Sequence, residues 1–435
     1  MFLIDTLSLE LREFSGRDLP KYAILSHRWG EEEPNHKNFR KKRQTHLAGY
    51  QKIVDCCDFV RARGHAWLWV DTVCIDKKSS AELSEAINSM YQWYQNASEC
   101  YAYLEDLAPE HCYGSAEEAL QRSAWFTRGW TLQEMLAPMR LTIVNRDWII
   151  CGRTYPDEDG LPRVPANDRS IWHYDEMLHA LSALTSVPVR ILNHQRSVYT
   201  ESVATRMSWM GRRCTTRVED QAYCMLGLFR INMPLLYGEG NNAFRRLQKE
   251  IVQDSSDETI FMAHSSRFIN GGILNTKPSA YEHGSCVRRA HLFDRPPYTF
   301  TNRGLRLEFL PGSMVFAEPG STKKLLIALN CRVDSPAAPS LAFLYLTQMS
   351  CGHYAREVVK MHQIEQMLGE AQIMRWKQTA DAQWSPRSGT LQKRSQHSVD
   401  MKEIVTPVTV YVHWRADDMM LCRNPIAVYT KPGSW

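Results

Sequence analysis

In WFTRGWTLQEMLAP (residues 125–138), Trp130 and Glu134 stand four apart, so a helix there presents an indole ring and a carboxylate on one face. A carboxylate held beside a flat ring can stabilise positive charge that develops on a substrate. Two plainer readings compete. Glu134 could pair or solvate on a surface helix, and Trp130, close to Leu132, Met135 and Leu136, could belong to the core.

A second group leaves the apolar run YAILS. His27, Arg28 and Trp29 follow it directly, at the carboxyl end of an expected strand, where open α/β sheets form their ligand crevice. The planar fork of Arg28 suits a pyrophosphate and His27 could donate to it, with Trp29 a further substrate-binding candidate. A histidine bonded to backbone is the structural alternative. Asp71 and Asp76 flank the end of WLWVDTVCI (67–75), and both are candidates for the same crevice. Asp71 either fixes the loop that carries His27 and Arg28 or binds ribose hydroxyls.

Two further patterns carry less. Cys74 with His27 would make a thiol–imidazole pair, but burial in a central strand raises a thiol's pKa and blocks substrate. Gly238, Gly240 and Ala243 fit GxGxxA ahead of AFRRLQKEI. The preceding MPLLY is too short for the βαβ unit and holds Pro234, so the segment reads as a tight turn and a helix start.

The elements that must position these residues alternate between strand and helix patterns over residues 20–145. YAILSHRW (22–29), WLWVDTVCI, CYAYL (100–104) and RLTIVN (140–145) read as strands, the second as a central strand buried on both faces. Leu47, Tyr50, Val54 and Cys57 recur at helical spacing, with Thr45 as cap and Gly64 as stop. Ser79 and Glu82 form a capping box ahead of Leu83, Ile87, Met90, Tyr91 and Tyr94. A short helix over 123–137 should end at Pro138.

The expected class is α/β: a mostly parallel sheet of four or slightly more strands covered by helices over residues 1–150, then a helical extension over 151–258. Within that extension Thr216 and Glu219 form another capping box. Residues 259–435 read as a β-rich accessory domain through GLRLEFL, KLLIALN, LAFLYL and VTVYVHW, with a mobile polar loop over 376–402.

Composition narrows the function classes. The chain has 435 residues, 44% of them hydrophobic and 23% charged, as in an ordinary globular protein of two or three units. Net charge is +4 and the basic residues are scattered apart from RKKR (40–43), which argues against nucleic acid as a partner. Twelve cysteines without a CxxC pair argue against a zinc site, so no metal ligands are assigned. The acidic opening MFLIDTLSLELREF lacks a signal peptide's basic region, and no apolar run approaches a membrane span; a cytoplasmic location is expected.

Six phrases in order, YAILSHRWG (22–30), WVDTVCIDK (69–77), SSAELSEAINSMYQWYQNASECYAYL (79–104), WFTRGWTLQEMLAP, RMSWMGRRCTTRVEDQAYCMLGLF (206–229) and NMPLLYGEG (232–240), resemble the HET domain family, named for heterokaryon incompatibility in filamentous fungi. The resemblance covers residues 20–255, with Arg28 standing where the family more often has threonine. It implies a role in fungal non-self recognition and regulated cell death. HET domains in turn resemble Toll/interleukin-1 receptor domains, some of which cleave NAD, which implies a Toll/interleukin-1 receptor-like core. On that implication Glu134 is the catalytic carboxylate, and His27, Arg28, Trp29, Asp71, Asp76 and Trp130 bind a nucleotide substrate. NAD enters as substrate, and no cofactor is assigned.

Cleavage of the nicotinamide–ribose bond passes through an oxocarbenium-like state that one fixed carboxylate can stabilise. Nicotinamide leaves as a neutral amine, so no general acid is needed. Two other classes stand beside this: a non-catalytic module that signals by self-association, and a metabolic enzyme that reuses the fold. Without a Walker loop or a repeat period, the chain is expected to act alone or through a partner, and self-association or a protein partner is the expected interaction.

Overall fold

Short apolar runs in the first 156 residues build a seven-stranded sheet in a computed structural model of the protein. The strands are β1 (Phe2–Asp5), β2 (Leu11–Glu13), β3 (Ala23–His27), β4 (Trp67–Trp69), β5 (Glu99–Leu104), β6 (Leu141–Asn145) and β7 (Ile150–Arg153), in the order β2-β1-β4-β3-β5-β6-β7. Pairs β4–β3, β3–β5 and β5–β6 are parallel. Pairs β2–β1, β1–β4 and β6–β7 are antiparallel. The sheet is therefore mixed, with a parallel centre. Its breadth exceeds the expected four or slightly more strands because β1, β2 and β7 are three or four residues long, too short for an alternation to declare itself.

The structure describes residues 1–156, 171–262, 272–310, 313, 315–317, 324–334, 340–349, 354–357, 402–403 and 408–412. They fall into two units, residues 1–200 with 212–243, and residues 201–211 with 244–435. Most of the linker read near 154–168 and nearly all of the loop read over 376–402 lie outside the described residues.

In the first unit all five residues of β3 are buried, as a strand with neighbours on both edges and helices over the sheet requires. The helices are α1 (His36–Arg40), α2 (Ala48–Arg61), α3 (Asp71–Cys74), α4 (Ser80–Asn96), α5 (Ala116–Gln121) and α6 (Thr131–Leu136). Helix α2 buries Tyr50, Ile53, Cys56, Cys57 and Val60, and the chain turns away at Gly64 with φ +87°. Thr45 does not cap it; the N-cap is Leu47, which makes no side-chain bond to the helix. The run WLWVDTVCI is not one strand either. It stops after Trp69, and α3 follows with Cys74 N–H donating to Val70 carbonyl at 2.8 Å.

The capping box at α4 is half formed. Ser79 accepts from Glu82 N–H at 3.3 Å, but the Glu82 carboxylate accepts from Asp76 N–H at 2.8 Å rather than from Ser79. The pair Thr216 and Glu219 forms no box: Glu219 is itself the N-cap of the turn Asp220–Tyr223, without a side-chain cap bond. Residues 123–137 split into a 3-10 turn (Ala124–Thr127) and α6, with Trp130 as N-cap of α6.

The second unit holds a nine-stranded, largely antiparallel sheet among its described residues. Its longest pair joins Lys324–Val333 to Ser340–Gln348, and Gly304–Phe309 pairs with Val408–Val412. Each of the four β runs read in this part of the sequence contains a strand among its described residues. Among the described residues no helix is long and apolar enough to cross a membrane.

Candidate functional site

Glu134 lies one turn into α6, a helix whose six residues are all buried, and it is only 6% exposed. Its Oε2 accepts from Ser26 Oγ at 2.5 Å. Ser26 belongs to β3, and its Oγ accepts in turn from the indole N–H of Trp125 at 2.9 Å. Because an indole N–H can only donate, it occupies an acceptor site of the serine and leaves the hydroxyl proton for the carboxylate. Burial pushes the Glu134 pKa up to about 7, against the opposing pull of the Arg128 charge and the Ser26 bond.

Glu134 forms part of the wall of a cavity of about 570 Å³ in the first unit, together with Arg28, Trp29, Asp71, Lys77, Arg128, Trp130, Arg217, Asp220 and Tyr237. Five of the residues singled out in the sequence thus come together: Arg28, Trp29, Asp71, Trp130 and Glu134. The break of β4 into α3 places Asp71 where its Oδ2 accepts from Trp29 Nε1 at 2.8 Å. Lys77 Nζ stands 3.6 Å from the centre of the Trp29 ring, and the Arg128 guanidinium carbon stands 5.0 Å from a ring centre of the same indole. Arg128 also donates to the His27 carbonyl at 2.9 Å, which ties the segment before α6 to the end of β3.

The opposite chemistry meets at Asp220. Its Oδ1 accepts from Tyr237 hydroxyl at 3.0 Å, the Trp130 side chain also faces this carboxylate, and burial raises its pKa. Arg217 covers Tyr237 at 4.3 Å. Behind α6 the buried Arg213 donates to Arg128 carbonyl at 2.9 Å and to Thr131 Oγ1 at 2.8 Å, and burial lowers its pKa to about 10. A cationic group thus backs the helix that carries Glu134.

His27 and Asp76 are not among the residues lining this cavity. The His27 ring is buried, 3.7 Å from Glu33 Oε1 and 4.0 Å from Asp71 Oδ1, and neither ring nitrogen makes a hydrogen bond. Burial lowers its pKa, partly offset by Glu33 and Asp71. Glu33, ion-paired with Lys52, is held at about 2 by His27 and Lys52 despite its own burial. Asp76 Oδ1 accepts from Lys78 N–H at 3.0 Å, a turn-forming role.

The glycine pair at 238 and 240 does form an anion-binding concavity, with φ +104° and +57°. The Glu219 carboxylate already fills it, accepting from both N–H groups at 2.8 and 3.0 Å, so the turn reading holds and the phosphate reading does not. Cys74 is 2% exposed, its thiol pKa is raised by burial, and it does not line the cavity. Among the described residues no group of three or more His, Cys, Asp or Glu could hold a metal ion.

Sequence reasoning missed Lys77, Arg128, Arg217, Asp220 and Tyr237. Lys77 and Arg128 sit inside the quoted phrases WVDTVCIDK and WFTRGWTLQEMLAP, so the phrases could have marked them. Arg217, Asp220 and Tyr237 sit likewise inside RMSWMGRRCTTRVEDQAYCMLGLF and NMPLLYGEG, but only the return of the chain after 212 brings them to the cavity.

Residues 22–117 match the family model of the heterokaryon incompatibility protein (HET). The chain carries a HET domain. It is also 40% identical over 243 residues to vegetative incompatibility protein HET-E-1 of Podospora anserina, covering 54% of this chain and 16% of that protein. The chain thus spans about a sixth of the length of that relative. No solved structure matches. The model match contains Arg28, Trp29, Asp71 and Lys77, while Arg128, Trp130, Glu134 and Asp220 lie beyond it, so the cavity of this HET domain draws on residues on both sides of that limit.

Proposed function

We propose that this HET domain acts in fungal heterokaryon incompatibility by cleaving the nicotinamide–ribose bond of NAD, giving nicotinamide, ADP-ribose and a proton from NAD and water. The observation that carries this reading is Glu134: a buried carboxylate in a cavity wall, four residues after an indole and held by a hydroxyl whose proton has one direction to go. An ordinary surface glutamate would not be buried at a cost reflected in a pKa near 7.

In this mechanism ionised Glu134 faces the ribose, and its charge stabilises the oxocarbenium-like state as the glycosidic bond breaks. The bonding electrons go to the nicotinamide nitrogen, which leaves neutral, and water then adds to the sugar and releases a proton. The cationic ring of the bound substrate favours the ionised carboxylate, offsetting burial. Trp130 gives the nicotinamide a flat wall, and Asp220 orients that indole. Arg28 and the neighbouring cations hold the phosphates. The name of the Podospora relative, a vegetative incompatibility protein, supports the biological setting, and the parallel strand centre is compatible with the Toll/interleukin-1 receptor-like core.

Incubating the purified chain with NAD and following nicotinamide release tests the reading. Release that disappears in Glu134→Gln supports it. A pure, folded protein that releases no nicotinamide above the rate in buffer rejects catalysis and favours a self-associating signalling module.

A further inference from the structure

Lys77 and Arg128 both stand over the Trp29 indole, at 3.6 and 5.0 Å. Like charges repel, and two cations brought to one ring are ordinarily separated by a carboxylate. Here the carboxylate at hand, Asp71, accepts the Trp29 N–H at 2.8 Å, and no ion pair joins Lys77, Arg28 or Arg128 to an acid among the described residues. Arg128 uses one donor on the His27 carbonyl, and a guanidinium has five. The ring holds the cations in place through its quadrupole, which leaves their donors facing the cavity they line. Trp29 is thereby an organiser of charge rather than a platform for a base.

We propose that Lys77 and Arg128, set on Trp29, form a subsite for two adjacent phosphoryl groups of a nucleotide ligand. Paired cations match a pyrophosphate's two charges, and the bound ligand removes their mutual repulsion. The Lys77 pKa is lowered chiefly by desolvation; the Arg128 charge adds to this and Asp71 opposes it. The subsite rests on the nucleotide reading of the cavity, not on bond cleavage.

Isothermal titration of the full chain with inorganic pyrophosphate and with ADP-ribose tests it. Both are expected to bind, with affinity falling as salt rises. Lys77→Met should weaken both by about tenfold or more, because a charge-assisted contact is lost, while Lys77→Arg should retain most of the affinity. Lys77 is open to solvent, so both variants should melt with the parent. The subsite is overturned if the parent binds neither probe, or if Lys77→Met binds both as the parent does. Binding that Lys77→Met loses, in a protein that releases no nicotinamide, keeps the subsite and rejects cleavage. Nicotinamide release with the same KM in Lys77→Met does the reverse.

Discussion

Ser26 Oγ donates to Glu134 Oε2 at 2.5 Å across 108 residues of sequence, and the indole N–H of Trp125 orients that hydroxyl from the other side. The bond favours the ionised acid in a place where burial disfavours it. Removing the hydroxyl should therefore shift the balance toward the protonated form. In Ser26→Ala the inflection in the pH dependence of nicotinamide release is expected to move up by about one unit, the size of a hydrogen bond to a charged group. An unmoved inflection would show that the serine has no part in tuning the acid.

Glu134→Gln keeps the shape and removes the charge. Loss of one well-placed electrostatic stabiliser costs about 10²–10³ in rate, so nicotinamide release should fall by that factor while circular dichroism is unchanged. Full activity in the glutamine variant would return Glu134 to a structural role.

The same substitution has an opposite effect on stability. The folded-state pKa of Glu134, about 7, lies above the ordinary 4.5, so burial of the acid is harmless at low pH and becomes costly as pH rises through 7. Glu134→Gln should match the parent below pH 4.5 and become more stable above pH 7, by up to about 3 kcal/mol. Denaturant melts at pH 4 and pH 8 measure the difference, and equal gains at both would contradict it.

Gly227 packs directly against α4: an added Cβ would come within 2.1 Å of Tyr91 Cβ. Gly227→Ala should destabilise the domain by about 1–3 kcal/mol or more through overpacking, read as a lower melting temperature. An unchanged melting temperature would mean that the helix and the 226–229 turn can separate at no cost.

How far the sequence reached can be judged residue by residue. The helical spacing of Ile87, Met90, Tyr91 and Tyr94 and the apolar runs of β3, β5 and β6 stated their own structure, because periodic burial is a local pattern. The i, i+4 relation of Trp130 and Glu134 was equally local, and it brought both to the cavity wall. The side of the strand end faced by His27, the early stop of β4 and the identity of the real caps depended on partners far along the chain. His27 illustrates this: its neighbour Arg28 lines the cavity while its own ring turns to Glu33, a choice made by packing rather than by spacing. Tertiary structure alone decided that a serine and a tryptophan 99 residues apart converge on Glu134, that Lys77 and Arg128 share one indole, and that Glu219 fills the glycine turn. Hydrogen bonds and charges act through space over a few ångströms, and only a folded chain sets those distances.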